Sequence, residues 1–430
     1  MVCPSEETPK GSLWLSKLDM MIRTPYSHSK VLFVYTPPSN FFDTNTMKEA
    51  LSRALVPFYP MAGRLILNNE TGRYEIDCNA KGALFIDAES IHALVDFGDY
   101  LRLDFQLKEV VFPVCDYTGG LSSFPLLLVQ ATHFSCGSVC LGFAQHQHVG
   151  DGTSQLHFIN SWARLAKGLD LSVQPIHDRV NYLISRDPPQ VKFRHLEYEP
   201  SLPSLPPKGL SGEMVTETEC IFKLTKEQVN GLKLNATSQD ETTYKLSTFE
   251  VQSGHVWRSV CLARGLADDQ DVKLYIPVEG RSRLNDMEVP PGYCGNILFY
   301  AACVEKAGDV ASKPLWYAAS KIHEAIKKMD NVEYLRSAID FVESHQDLMA
   351  IVRGPQTPTC PNLTINSWAR LPCYEADFGW GRPKFIGVNG IKHDGNVYIT
   401  TSSNGDGSFL VAIKLFTPHM TLFKHYFYNI

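Results

Sequence analysis

The segment His146-Gln147-His148-Val149-Gly150-Asp151, closed by Gly152, joins two stretches of different period. Before it, Val139 to Ala144 is a continuous apolar run and reads as a buried strand; after it, Thr153 to Leu165 carries the spacing of an amphipathic helix. A strand, a tight polar turn and a helix hold a side chain on rigid supports, which suits a reacting group. Two histidines and an aspartate within six residues are the groups of acid–base chemistry near neutral pH. Side chains alternate along a strand, so His146 and His148 are expected on one face and Gln147 on the other.

Outward from this segment, Phe124 to Phe134 reads as the partner strand of Val139 to Ala144. Upstream, Lys30 to Tyr35 reads as a strand and Thr46 to Leu55 as a helix capped by Asp43, Thr44 or Asn45. Pro57 to Leu65 breaks that helix, and Tyr74 to Cys78 and Ala83 to Ile86 read as short strands. Residues 174–211 are proline-rich, with Pro188-Pro189, Pro203 and Pro206-Pro207, and read as an extended crossover. Beyond it come a strand at Glu219 to Lys223 and helices at Thr225 to Leu234 and Thr248 to Ala263. A strand at Lys273 to Val278, a helix at Leu315 to Lys328, and strands at Tyr398 to Thr401 and Phe409 to Leu415 follow. Both halves mix helices and strands, so the expected class is α/β. The expected organisation is an N-terminal domain over 1–173, the crossover over 174–211 and a C-terminal domain over 212–430.

With 430 residues, 44% hydrophobic and 20% charged, the chain is long enough for two full cores. A net charge of -6 argues against a nucleic-acid partner, and no run of about 20 apolar residues predicts a membrane span. The N-terminus lacks the basic-then-apolar pattern of a signal peptide, and the eleven cysteines include no Cys-x-x-Cys. A cytoplasmic protein with reduced thiols is therefore expected.

Much later comes Asp377-Phe378-Gly379-Trp380-Gly381. Together with the first segment it resembles the signature pair of the BAHD plant acyltransferases, which move acyl groups from coenzyme A thioesters to alcohols or amines. The family's first motif reads His-x-x-x-Asp; here the residue four before Asp151 is Gln147, and Leu141-Gly142 fixes that alignment without a gap. The resemblance runs over essentially the whole chain, through Ser39 to Asp43, Ala54 to Leu65, Leu156 to Trp162, Gly254 to Arg258, Gly280 to Arg283 and Pro290 to Asn296. It is nearest to the hydroxycinnamoyl-CoA:shikimate/quinate branch. It implies two mixed-sheet domains of similar topology, the CoA-dependent acyltransferase fold, with a channel at their interface. It also implies acyl-CoA as co-substrate, no permanently bound cofactor and no metal, an acidic alcohol as acceptor, and a monomer. Relative to such enzymes the chain starts late, at Val2-Cys3-Pro4, so a short edge strand is expected.

By the same resemblance the catalytic position falls on Gln147, with His148 and Asp151 beside it. A neutral imidazole acting as general base is worth roughly 10²–10⁴-fold. A primary amide is not basic near neutral pH, although it can hydrogen-bond a hydroxyl. Three readings stand: a His-to-Gln change that traps substrates; a variant whose chemistry has shifted, onto His148 or His146 or to a lyase or isomerase reaction on an acidic ligand; and a non-catalytic binding protein.

The resemblance pairs Asp151 with Arg281 and makes Asp377, Gly379, Trp380 and Gly381 a structural element. It brings Trp368, in Ser367-Trp368-Ala369-Arg370, to the reacting carbonyl, where an indole N–H stabilises an oxyanion. It brings Arg353, fifteen residues earlier, to the acceptor carboxylate, which a guanidinium holds bidentately. Asn366, Arg370 and Tyr275 join the substrate-binding set. The chain departs from relatives at Asn366, where they have threonine, at Phe249, where they have tyrosine, and at Val31 and Phe33. Serine and tyrosine stand at the last two positions in relatives and face the donor's ring hydroxyl. Their loss predicts an acyl group with fewer hydroxyls to satisfy, with His28 and Lys30 as nearby polar groups.

Overall fold

The computed structural model describes residues 1–22, 24–36, 42–97, 105–205, 216–237, 244–284, 287–351, 357–389, 391 and 393–430. The chain divides into two compact units, and neither is contiguous in sequence. The first comprises Met1–Arg186, Asn285–Ile297 and Leu371–Gly390; the second comprises Asp187–Leu284, Leu298–Arg370 and Ile391–Ile430. The division at Arg186 falls inside the expected crossover. The return of two later segments to the first unit left no mark on the periodicity.

The first unit is built on a five-stranded mixed sheet. Its strands are β1 (His28–Tyr35), β2 (Leu84–Ser90), β3 (Leu127–Phe134) and β4 (Val139–His146), with Phe385–Asn389 at one edge. The order is Phe385–Asn389, β1, β4, β3, β2, and only β2 and β3 run parallel. All eight residues of the central β4 are buried, which explains why Val139 to Ala144 is apolar and does not alternate. Gly142 is needed there, because a Cβ would meet the Val111 carbonyl oxygen at 2.0 Å.

Two helices cover this sheet, α1 (Thr44–Ala54) and α2 (Gly152–Ala166). Asp43 caps α1 by accepting from the Asn45 and Thr46 amides. Phe158 of α2 packs on Phe143 of β4 with 5.9 Å between ring centres. Trp162 of α2 is fully buried and donates its indole N–H to the Met47 carbonyl of α1 at 3.0 Å. A three-stranded sheet of Ser12–Trp14, Tyr74–Asp77 and Arg64–Leu67 completes the unit.

The second unit holds a six-stranded mixed sheet. Its strands are β5 (Glu217–Leu224), β6 (Asp271–Glu279), β7 (Leu298–Lys306), β8 (Leu363–Ser367), β9 (Asn396–Thr401) and β10 (Phe409–Phe416). They lie in the order β7, β6, β8, β9, β10, β5, with β8 parallel to both its neighbours. The long helix α3 (Thr248–Arg264) packs against α4 (Leu315–Lys328) and the C-terminal α6 (Thr417–Tyr428), with α5 (Val332–Ser344) between them in sequence. A capping box of Ser247 and Glu250 starts α3, and Gly265, at φ +55°, ends it. The sequence patterns did not reveal β7, β8, α5 or α6. Among the described residues no helix is long and apolar enough to cross a membrane.

Candidate active site

In the first unit, β4 ends at His146 and α2 begins at Gly152, so the segment between them is a tight turn. Asp151 is the N-cap of α2. Its Oδ1 accepts from the Ser154 amide at 3.0 Å and its Oδ2 from the Ile297 amide at 3.1 Å. The same two strips of chain are joined again by Ser154, whose Oγ donates to the Gly295 carbonyl at 2.9 Å. Through these two backbone amides Asp151 fixes the turn.

Alternation holds through the turn. The rings of His146 and His148 stack at 5.0 Å on one side, and Gln147 points the other way. His146 has no exposed surface and its Nε2 lies 2.7 Å from the Pro25 carbonyl. Burial lowers its ring to about 4, against a small opposing pull from that carbonyl. His148 is also fully buried, edge-on to Tyr74 at 5.3 Å. Neither of its ring nitrogens has a hydrogen-bond partner among the described residues. Burial, then His146 and the Arg179 guanidinium, hold its ring well below the ordinary histidine value. The expectation that either histidine takes over as base is corrected: both rings are enclosed with no exposed surface, and burial makes each a weaker base than an ordinary histidine.

Gln147 is half-buried and tied at both ends of its peptide. Its amide N–H donates to the Ser27 carbonyl at 3.2 Å, and its carbonyl accepts from Asn296 Nδ2 at 3.1 Å. Its side-chain Oε1 accepts from Ser27 Oγ at 2.7 Å. Its Nε2 donates to no partner among the described residues. The carboxamide is thus anchored through its oxygen and presents its N–H groups.

A buried ion pair stands behind this turn. Arg179 and Asp19 have essentially no exposed side-chain surface and lie 3.4 Å apart. Arg179 Nη1 donates to the His148 carbonyl at 3.3 Å and Nη2 to the Val149 carbonyl at 2.5 Å. Asp19 Oδ1 accepts from the backbone and side chain of Asn296, at 2.8 and 3.0 Å. The carbonyls of residues 147, 148 and 149 are therefore gripped one after another by groups that Asp19 ties together. Sequence reasoning missed Asp19 and Arg179 because neither lies in a motif near the turn.

Val31 and Phe33 are fully buried in β1, opposite Phe143 and Leu141 of β4, on the face that α2 covers. His28 and Lys30 lie on the other face of the same strand. His28 is held by the Tyr117 hydroxyl at 2.7 Å and the Pro125 carbonyl at 3.0 Å, and Lys30 donates to the Pro113 carbonyl at 3.4 Å. The expectation that Val31 and Phe33 face the donor's ring is corrected: neither has exposed surface, and both are core positions of the sheet.

Asp377 forms a separate structural element of the same unit. Burial pushes its carboxyl up, but the amides of Gly379 and Gly381, at 2.9 and 2.8 Å, and the Lys167 ammonium at 3.3 Å bring it below the ordinary value. Gly379 and Gly381 have φ of +115° and +103°, which favours glycine at both positions. Trp380 packs between Phe42 and Phe378, with ring centres 5.0 and 5.8 Å away.

In the second unit, Trp368 follows β8, is half-buried, and donates its backbone N–H to the Ile399 carbonyl at 2.8 Å. Its ring lies edge-on to Tyr398 at 6.3 Å. Asn366 Nδ2 donates to the Val397 carbonyl at 3.2 Å, across the sheet. Tyr275 is buried in β6 with its hydroxyl 3.1 Å from Ser201 Oγ and the Lys273 ammonium 4.8 Å from its ring centre. Its assignment to substrate binding is corrected to a core position, because the residue is 1% exposed and its hydroxyl is engaged by Ser201. Arg281 Nη1 lies 3.0 Å from Glu279 Oε1. Arg353 lies outside the described residues. The exposed Arg370 borders a cavity of about 1030 Å³, together with Ser367, Lys233, Lys245, Phe249 and Ser247 at the start of α3. This basic cavity was not anticipated beyond Arg370 and Phe249.

The profile of the Transferase family matches residues 1–430. The chain belongs to the BAHD acyltransferase family. It is 51% identical over 441 residues to anthranilate N-benzoyltransferase protein 2 of Dianthus caryophyllus, covering 100% of this chain and 98% of that protein. It is 50% identical over 434 residues to shikimate O-hydroxycinnamoyltransferase of Nicotiana tabacum, with the same coverage. Among solved structures, vinorine synthase aligns over 98% of this chain and 94% of its own with a TM-score of 0.74 and 21% identity. TRI101 of F. sporotrichioides, solved with coenzyme A and T-2, aligns over 96% and 97% with a TM-score of 0.75 and 17% identity. The last two likenesses establish the α/β acyltransferase fold, with its two mixed-sheet units, for this BAHD chain.

Proposed function

We propose that this chain transfers a cinnamoyl-type acyl group from coenzyme A to a carboxylated acceptor, of which shikimate, quinate and a hydroxyphenyllactate are the alcohol forms. Transfer to those alcohols is slowed by Gln147. The observation that carries the reading is the cavity beside Trp368. Arg370, Lys233 and Lys245 give it positive charge, and the start of the 17-residue helix α3 opens into it. Such a cavity suits the phosphates of an acyl-CoA. Trp368, next to the cavity residues Ser367 and Ala369, is suited to the thioester carbonyl, and Arg353 to the acceptor carboxylate. Relatives named for hydroxycinnamoyl transfer to shikimate and for benzoyl transfer to anthranilate both act on carboxylated acceptors.

The test is purified chain with acyl-CoA and acceptor, following free coenzyme A against ester or amide formed. Stoichiometric release supports the reading. Turnover of an acidic ligand without coenzyme A would replace it with a lyase or isomerase, and binding without turnover would replace it with a binding protein.

A further inference from the structure

Three groups of the turn decide how a proton leaves the acceptor. His146 is spent on the Pro25 carbonyl, and His148 is enclosed against Tyr74. Gln147 is held through its oxygen by Ser27 and presents only N–H groups. The position that takes a proton in a base-catalysed transfer is therefore occupied by a fixed donor. An alcohol is a poor nucleophile until a base removes its proton. An aromatic amine already carries its lone pair free near neutral pH and needs no base before it attacks.

From this we infer that the Ser27–Gln147 pair makes the enzyme select aromatic amines that carry a carboxylate over carboxylated alcohols, with amide as the product. The inference rests on the proposed function for its acyl-CoA donor and its acidic acceptor, and changes the attacking atom. The step balances without further reactants. The amine nitrogen attacks the thioester carbonyl carbon, the C–N bond forms and the C–S bond breaks. The thiolate leaves with the bonding pair and takes up the proton shed by nitrogen, giving amide and free coenzyme A. Gln147 accepts no proton at any stage; its N–H groups hydrogen-bond an oxygen of the acceptor or acyl group. Ser27 is a positioning residue, because without its hydroxyl the carboxamide is free to rotate.

The experiment uses the full chain and its Gln147→His form, cinnamoyl-CoA as donor, and anthranilate and shikimate as acceptors. The parent is expected to favour anthranilate in kcat/KM by at least about 10²-fold, the lower end of what a general base supplies. Its anthranilate rate is expected to stay flat across about pH 6.5, the ordinary histidine value. Gln147→His is expected to raise shikimate transfer by roughly 10²–10⁴-fold and anthranilate transfer by far less, and to make the shikimate rate rise with pH through that region. Ser27→Ala is expected to lower the parent's anthranilate rate about 2–10-fold, the worth of one hydrogen bond, and Ser27→Thr to restore it. An equal rise for both acceptors in Gln147→His, or equal rates for both in the parent, would overturn the inference. So would a parent inert to anthranilate beside a Gln147→His form active on shikimate, although the proposed function would then stand. Release of no coenzyme A by either form with either acceptor would overturn the function and the inference together.

Discussion

Replacing His148 by leucine is expected to stabilise the protein, and to do so more at mildly acidic pH. The two side chains have similar volume, so the enclosed site is refilled without a large cavity. The ring buries two nitrogens with no partner among the described residues, and each unsatisfied buried polar group costs about 1–3 kcal/mol. Against this, leucine forfeits ring contacts with His146 and Tyr74, worth about 0.5–1.5 kcal/mol each. The balance at pH 7.5 is a gain of about 1 kcal/mol.

The pH dependence follows from the sign of the shift. Burial holds the folded-state pKa of His148 well below its unfolded value. Below about 6.5 the unfolded chain therefore binds a proton that the folded chain does not. The parent loses about 1.4 kcal/mol per pH unit from this ring as pH falls below that value. The leucine form is free of that loss, so its advantage at pH 5.5 is expected to exceed that at pH 7.5 by about 1.4 kcal/mol. Urea unfolding of parent and variant at both pH values measures this. An advantage that does not change with pH would show that His148 is protonable in the folded protein, and the argument that burial weakens it as a base would fail. An accompanying loss of acyl transfer in a Gln147→His background would point the same way.

Three other substitutions test separate parts of the site. Arg179→Met leaves Asp19 buried without its charged partner and is expected to cost about 3–5 kcal/mol of stability, read by urea unfolding; a change under about 1 kcal/mol would mean that the hydrogen bonds from Asn296 and Ser16 suffice to hold Asp19. Arg370→Ala is expected to weaken coenzyme A binding up to roughly tenfold, in a salt-dependent way, by calorimetry; unchanged affinity would move the donor away from the basic cavity. Arg353→Ala is expected to cost about 1.5–3 kcal/mol in binding of a carboxylated acceptor while sparing an uncharged alcohol. Equal affinities for the acidic acceptor in both forms would remove the carboxylate grip.

The parts of the site that sequence made legible are those encoded over short distances. Val139 to Ala144 declared a buried strand and Thr153 to Leu165 a helix, and the structure extends each by a residue or two. Alternation alone separated Gln147 from His146 and His148. Asp43 was among the expected caps because capping is a contact between near neighbours. The clamp behind the turn was invisible for the opposite reason. Asp19 and Asn296 are 277 residues apart, and Arg179 sits in a crossover whose composition suggests only extended chain. Tyr275 was misplaced because an isolated tyrosine in a strand does not reveal which face is covered. β8, with five residues, and β7, with mixed burial, gave too short or too irregular a pattern to separate from loop.

The strand Phe385–Asn389 belongs to a sheet whose other members are all present by residue 146. During synthesis the outer side of β1 therefore has no neighbour until Phe385–Asn389 emerges, after more than half of the polypeptide has followed residue 146. Val31, Leu32, Phe33 and Val34 lie on that open edge, and an unpaired apolar edge is a template for association with other nascent chains. A truncated product ending before residue 385 would retain the whole acid–base turn yet lack the strand that closes its sheet. Autonomous expression of the first 186 residues is thus the wrong way to isolate the turn, because two segments of its unit, Asn285–Ile297 and Leu371–Gly390, are carried by the rest of the chain.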